Sequence, residues 1–289
     1  MKYFKINSVM FFFICCLQIG YCQVNTNTIN SNANKYSPMN NPVYYLETTS
    51  QNCIVKAEIN GFPFYALNAQ FKSYFASPMN IGLVKGNNKI TVNIIPVLEN
   101  LTYPVQQQIS VEMKLKVYEN GDISSPENGK VLKEETITHY GTFQYMVNNQ
   151  SQIDFSDFFN SIEAVEDTAG LKKYTELIVQ SIKEKNMTFL KEEFAFKLRQ
   201  YAQAFYIDSN IYLNYGFDFL ENYILKYPPQ NYVLDNSMII YHPYWDKKIW
   251  YCSLSNGEEL IYSGEDEDGN QHFIPVYISK IDGRFKIIR

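Results

Sequence analysis

Apolar and polar side chains alternate with a period of two through short runs at 43–48, 52–59, 62–69, 88–97, 107–118, 130–138 and 141–147. That period belongs to strands with one buried and one wet face. The strongest run, Lys89-Ile90-Thr91-Val92-Asn93-Ile94-Ile95, turns Ile90, Val92 and Ile94 inward. Asn60-Gly61, Asn120-Gly121 and Asn128-Gly129 separate the runs, and such pairs supply the positive φ angles that tight hairpins need. The pattern predicts an all-β domain over 42–150 with seven strands.

The period then changes. Leu171, Tyr174, Ile178 and Ile182 follow the three-four spacing of an amphipathic helix; Leu190, Phe194, Leu198, Tyr201 and Phe205 repeat it after Thr188. A third set, Leu213, Phe217, Leu220 and Ile224, stops at Tyr227-Pro228-Pro229, where proline cannot continue a helix. Strand patterns return near 237–242, 248–255, 258–263, 272–280 and 284–288, separated by Asn256-Gly257, Asp268-Gly269 and Asp282-Gly283. Three helices followed by an antiparallel meander predict an α+β domain over 171–289, with the helices on one sheet face. The link between the domains, 151–170, holds Ser161 as a helix cap without the acid that would complete a capping box.

Leu83-Val84-Lys85-Gly86-Asn87-Asn88 precedes the strongest strand and resembles the Leu-x-x-Gly-x-Asn turn of extracellular immunoglobulin-like β-sandwich modules. Seven strands in about a hundred residues suit an immunoglobulin-like sandwich. The resemblance implies a module that binds sugars, proteins or nothing at all. The closing run from Phe273 to Arg289 contains Gly283-Arg284-Phe285-Lys286-Ile287 and resembles the Gly-x-(Trp/Phe)-x-Ile strand that ends nuclear transport factor 2-like (NTF2-like) folds. That resemblance implies a cone-shaped pocket lined by acids or histidines. The order departs from the family's, which places a strand pair between helices.

The chain has 289 residues, 46% apolar and 19% charged, a balance that excludes disordered, collagen-like and multi-span membrane classes. Residues 1–22 carry Lys2 and Lys5, an apolar run from Met10 to Leu17 too short to span a bilayer, and Gly20 and Cys22 ahead of a cut before Gln23. This reads as a secretory signal, giving a secreted or periplasmic protein. A lipid anchor on Cys16 or Cys22 and a retained amino-terminal anchor are the alternatives. Residues 23–41, dominated by Asn, Ser and Thr, read as a flexible tether. A net charge of −5 with no basic run speaks against nucleic acid as a partner. Sequons at Asn100, Asn149 and Asn186 matter only in a eukaryotic secretory pathway. Cleavage leaves Cys53 and Cys252. Cys53 shares a face with Val55, Ala57 and Ile59, which favours buried free thiols over a single bridge.

Motifs for chemistry are mostly missing. The sequence has no Gly-x-Ser-x-Gly, His-Glu-x-x-His, Cys-x-x-Cys, phosphate loop or dinucleotide fingerprint, so no cofactor or metal is expected. His139, His242 and His272 lack metal-ligand spacing and read as surface or strand-edge residues. Glu265-Asp266-Glu267-Asp268-Gly269-Asn270 fails the calcium-loop test, because Pro275 would take the place of the twelfth-position carboxylate; Asp266 and Asp268 then read as the solvated acidic rim of a hairpin tip, with loose calcium binding or a contact for a basic partner as the alternatives. Glu258 and Glu259 are strand neighbours on opposite sides.

Both tryptophans lie in Tyr241-His242-Pro243-Tyr244-Trp245-Asp246-Lys247-Lys248-Ile249-Trp250-Tyr251. Tyr241, His242, Tyr244, Trp245, Asp246 and Trp250 are the candidate binding residues, since rings at a loop give large contact area at low entropic cost. The competing expectation is that Tyr241, Trp245 and Trp250 close the sheet against the helices. The sequence is read as an exported, non-enzymatic envelope protein that binds a protein partner, for instance neutralising a secreted toxin. A glycan or small-ligand binder is the alternative. A hydrolase with an NTF2-like pocket, using His242 or His272, ranks third.

Overall fold

Positive φ angles at Asn60 (53°) and Gly61 (85°) reverse the chain between two strands, as the Asn-Gly pair requires. The computed structural model describes residues 41–69, 72–97, 108–119, 125–229 and 236–289. The signal-like segment, the tether up to residue 40, Asn100 and Asn120-Gly121 lie outside them. The described chain divides into two compact units, one ending at Asp157 and one running from Phe158 to Arg289.

In the first unit, β1 (Val43–Gln51), β4 (Ser73–Pro78), β6 (Gln108–Tyr118) and β7 (Lys130–Tyr140) form an antiparallel sheet ordered β4-β1-β6-β7. β2 (Cys53–Ile59), β3 (Phe62–Ala69), β5 (Gly86–Pro96) and β8 (Phe143–Ser151) form a second, ordered β3-β2-β5-β8. This is the all-β, sandwich-like region that the alternation predicts. Its eighth strand, β4, escapes the pattern because Ser73-Tyr74-Phe75-Ala76-Ser77-Pro78 has neither β-branched residues nor an apolar stripe. Cys53, Val55, Ala57, Ile59, Ile90, Val92 and Ile94 are all buried.

The turn before β5 is closed by one amide. Asn88 Oδ1 accepts from the Val84 amide (2.8 Å) and Asn60 Nδ2 (2.8 Å), while its Nδ2 donates to the carbonyls of Val84 (2.8 Å) and Gly86 (3.0 Å). Only a side chain with both a donor and an acceptor can make this set, which explains the asparagine.

Register places Tyr45, Glu47, Lys116 and Tyr118 on one face of the β1–β6 pair, opposite Leu46 and Leu115. Lys116 and Glu47 are both buried and form an ion pair at 2.9 Å. The Lys116 ammonium also donates to the carbonyls of Ser125 (3.0 Å), Pro126 (2.9 Å) and Asn128 (3.0 Å). The Tyr118 hydroxyl donates to Glu47. Residues 125–129 are thereby fastened over this face. Gly129, with φ 79°, sits so close that a Cβ there would stand 2.6 Å from the Tyr118 ring.

The second unit starts within α1 (Ser156–Ser161), followed by β9 (Ile162–Glu163). Ser161 therefore ends a helix instead of capping one, its Oγ donating to the Phe158 carbonyl at 2.7 Å. The segment expected as a plain link carries α1 and a strand that pairs with the C-terminal sheet. α2 (Thr168–Lys183), α3 (Met187–Ala204) and α4 (Ser209–Phe219) are the three predicted helices, and α4 runs on as a π-helical turn over Leu220–Leu225. Asp167, Asn186 and Asp208 cap them, each side chain accepting from amides of the first turn.

β10 (Ile239–Tyr244), β11 (Ile249–Leu254), β14 (Val276–Ile281) and β15 (Arg284–Ile287) form an antiparallel sheet in that order, with β9 also on β14. β12 (Ile261–Tyr262) and β13 (Phe273–Ile274) make a separate ladder. The strand expected over 258–263 shrinks to β12 and a bridge between Ser253 and Glu259. That over 272–280 breaks at Pro275, which has no amide hydrogen to give a ladder. Leu171, Ile178, Leu190, Phe194, Leu198 and Ile224 share a core with Trp250, Cys252, Leu254, Ile278 and Ile287, so the helices cover the sheet face bearing these residues. Cys53 and Cys252 are free and buried, and burial pushes the Cys53 thiol up to about 11.

Lys116→Met will lower the stability of the first unit by about 3–5 kcal/mol, because it strands the buried Glu47 carboxylate and frees three carbonyls. The urea midpoint of that unit measures this, and a Lys116→Met/Glu47→Leu double variant will recover much of the loss.

Candidate functional site

Because Trp250 and Cys252 of β11 face the helices, Tyr251 between them must face the other way. Register sets His242 of β10 and Tyr277 of β14 directly beside Tyr251. The three rings stack in a row across three strands. His242 and Tyr251 centroids are 5.5 Å apart with 26° between planes, and Tyr251 and Tyr277 are 4.9 Å apart at 30°. The Arg289 guanidinium lies 5.1 Å from the Tyr277 centroid, and Tyr244 leans on Tyr277 at 6.2 Å. The chain end is held in place by its backbone, since the Tyr277 amide donates to the Arg289 carbonyl at 2.9 Å. The row runs from an exposed end at His242, through half-buried Tyr251, to buried Tyr277.

Polar groups gather at its inner end. The Tyr251 hydroxyl donates to Glu259, whose backbone bridges to Ser253. Glu259 Oε2 is buried with no hydrogen-bond partner. Lys197 and Tyr201, one turn apart on α3, add a buried ammonium and a hydroxyl that accepts from Arg289. Burial pulls the Lys197 ammonium down to about 7, helped by the Arg289 charge and opposed by Glu259. Burial pushes the Glu259 carboxyl up to about 7, against the Tyr251 hydrogen bond and the charges of Arg289 and Lys197. Burial also raises Tyr251, Tyr277 and Tyr201. An acid and an amine that both titrate near neutrality, beside a permanent cation, can match the charge of what lies next to them. Such shifts concentrate at functional sites.

Among the residues singled out from sequence, His242 and Tyr244 belong to this site. His242 Nε2 and Ser253 Oγ share a hydrogen bond at 3.1 Å, which sets the ring's orientation. Tyr241 and Trp250 lie on the opposite face. Trp250 is in the helix-covered core and donates through Nε1 to the Lys247 carbonyl (3.0 Å), while the Tyr241 hydroxyl meets Thr175 Oγ1 at 2.6 Å. These two close the sheet, as the competing expectation has it. Trp245 and Asp246 form the β10–β11 turn with Lys247, all three at positive φ (45°, 50° and 63°). Trp245 is half-buried, edge-on to Phe159 at 5.3 Å and under the Lys248 ammonium at 4.5 Å.

Asp266 and Asp268 stand apart from the ladder, on a tip that closes upon itself. Asp266 Oδ1 accepts from the amides of Asp268 (2.9 Å) and Asn270 (2.8 Å), and Oδ2 pairs with His272 Nε2 at 2.9 Å. His272 is not the surface or strand-edge residue expected: it is buried against Phe219 and Tyr223, with Nδ1 unpartnered. Among the described residues no group of three or more His, Cys, Asp or Glu is placed to hold one ion, and no helix is long and apolar enough to cross a membrane.

Sequence reasoning missed Tyr277, Arg289, Glu259, Lys197 and Tyr201. Register carries the signal for Tyr277, and register is not visible in a single strand. Lys197 had a weaker local signal, a lysine three residues after Phe194 and beside Leu198, both on the buried face of the helix. No family model matches the chain, and no curated protein or solved structure matches it.

Glu259 and Lys197 shape stability against pH. Glu259 holds its proton more tightly when folded, so its contribution is complete below its ordinary 4.5 and is lost as pH rises through about 7. Lys197 holds its proton less tightly when folded, so stability returns as pH climbs from about 7 towards 10.5. Together they give a dip near neutrality in urea midpoints measured from pH 5 to 10. Glu259→Gln will flatten the acidic limb and Lys197→Met the alkaline one.

Proposed function

We propose that this chain is an exported binding protein of the cell envelope whose C-terminal unit holds a glycan or a small ring-bearing ligand on the His242–Tyr251–Tyr277 ladder. One observation carries the reading: three rings in register on one sheet face, open at His242, with Glu259 hydrogen-bonded to Tyr251 and the Arg289 guanidinium against Tyr277 at the inner end. A sugar ring presents an apolar C–H face and a hydroxyl edge. The open His242 end of the stack suits the first, and a carboxylate and a guanidinium suit the second. The signal-like residues 1–22 support an envelope setting. The likeness of the closing hairpin to NTF2-like folds supports a ligand site lined by acids or histidines, since His242 is the ladder's open rung and Glu259 meets Tyr251 at its inner end. The first sequence reading, a protein partner anchored on the aromatic loop, has less support, because Tyr241 and Trp250 are committed to the core.

A second reading, a hydrolase, draws on the His242–Ser253 pair, which has the spacing of a base and its nucleophile. Ser253 is buried beneath the ring, which favours its role as a support for His242.

Titration calorimetry of residues 23–289 against soluble cell-wall oligosaccharides tests the binding reading. At least one will bind, and Tyr251→Ala will weaken it by about tenfold, the loss of roughly 1.5 kcal/mol of ring stacking. Ser253→Ala will leave affinity within about twofold if the serine only positions His242. A panel without any heat of binding, or a Tyr251→Ala variant that binds as well as the parent, would overturn the proposal; turnover lost on Ser253→Ala would put the hydrolase in its place.

A further inference from the structure

One face of the β1–β6 pair is covered at one end and open at the other. Where Lys116 meets Glu47, residues 125–129 lie over it. Towards the far end, Gln51, Ser110 and Thr138 stand side by side in one row across β1, β6 and β7, and Gln108 and Tyr140 make the next. Asn52 carries the chain from β1 to β2 at φ 62°, a left-handed position that asparagine tolerates. Gln51, Asn52, Gln108, Ser110 and Thr138 line a cleft of about 430 Å³, within the roughly 300–1,000 Å³ of small-molecule sites.

The lining holds no charged and no apolar residue. It consists of three carboxamides and two hydroxyls, and each of these both donates and accepts. Among the described residues, the hydrogen bonding of these five side chains comes to one long contact, from Asn52 Nδ2 to the Gln108 carbonyl at 3.5 Å. The row on one side of the cleft, Thr49, Glu112 and Thr136, brings a carboxylate that is already paired, Glu112 with Lys114 at 2.8 Å. Lys114 also holds Glu134 at 3.2 Å. On the other side Tyr140, 52% exposed, sets a ring beside Gln108.

We propose that this cleft is a second binding site, for a neutral saccharide whose C–H face lies on Tyr140 and whose hydroxyls meet the five polar side chains. A sugar offers a row of groups that donate and accept at once, which is the capacity of every group in the lining. An anionic ligand needs a cation, and the nearby Lys114 is held by two carboxylates. An extended peptide needs pockets for its side chains as well as partners for its backbone, and the lining has no apolar member. Trading water for sugar hydroxyls is nearly even in free energy, so the Tyr140 ring supplies much of the net affinity. The cleft lies wholly in the first unit, so the proposal stands apart from the ladder and its ligand.

Amide-shift titration of residues 23–289 by NMR tests it, with neutral hexasaccharides of glucose, mannose, xylose and N-acetylglucosamine as probes. At least one will shift the amides of 50–52, 108–110 and 138–140. Amides around 242, 251 and 277 report the ladder separately, so the failure of one site is not read as the failure of the other. Tyr140→Ala will weaken binding at the cleft by about tenfold and Gln108→Ala by about threefold, with urea midpoints unchanged because both side chains are exposed. The proposal is overturned if no probe shifts the cleft amides, or if both variants bind as well as the parent. A glycine-serine peptide that shifts those amides when no sugar does would overturn it in favour of a peptide.

Discussion

In a strand, whatever one residue commits to the core, its neighbour must withhold from it, and in the second unit this rule decides the candidate site. The helices need a large apolar surface to pack on, and β11 supplies Trp250, Cys252 and Leu254. Tyr251 and Ser253 are then displayed on the other face, and pairing aligns them with His242 and Tyr277. The ladder is therefore tied to the core by the backbone itself. A one-residue slip of β11 would bury Tyr251 among the helices and expose Trp250, so the packing energy of the core also holds the ladder in register.

Much of the architecture was legible because it rests on periodicity and turn chemistry. Three helices showed in their three-four spacing, and Gly61, Gly257, Gly269 and Gly283 adopt the positive φ that their Asn-Gly and Asp-Gly pairs announce. Local reading failed where the determining partner is distant in the chain. β4 is a strand because β1 lies beside it, not through its own composition. Ser161 looks like a cap, but Asp167 takes that role six residues on. Pro275 splits what reads as one strand, as its missing amide hydrogen dictates.

The site was less legible than the fold. Two of its rings, His242 and Tyr251, lie in the aromatic segment visible in the sequence. Tyr277 comes from a strand further on and Arg289 from the residues after the last strand, and Lys197 and Tyr201 come from a helix before it. Rank by residue type points elsewhere, because tryptophan is the strongest contact former and neither tryptophan stands in the ladder. Trp250 seals the core and Trp245 anchors a three-residue left-handed turn against Phe159. The smaller, amphipathic rings were left for the open face, as expected of side chains with one apolar body and one polar tip.

The seat around Lys116 has the make-up of a cation-binding loop: three backbone carbonyls and one carboxylate around a single positive centre. Here the cation is part of the chain. A dissolved ion would leave such a loop whenever its concentration fell or a chelator took it, whereas a tethered ammonium is present at fixed stoichiometry. For a protein read as working outside the cytoplasm, where the mineral content of the medium is set by the surroundings, the fold of 125–129 is thereby made independent of the water it meets.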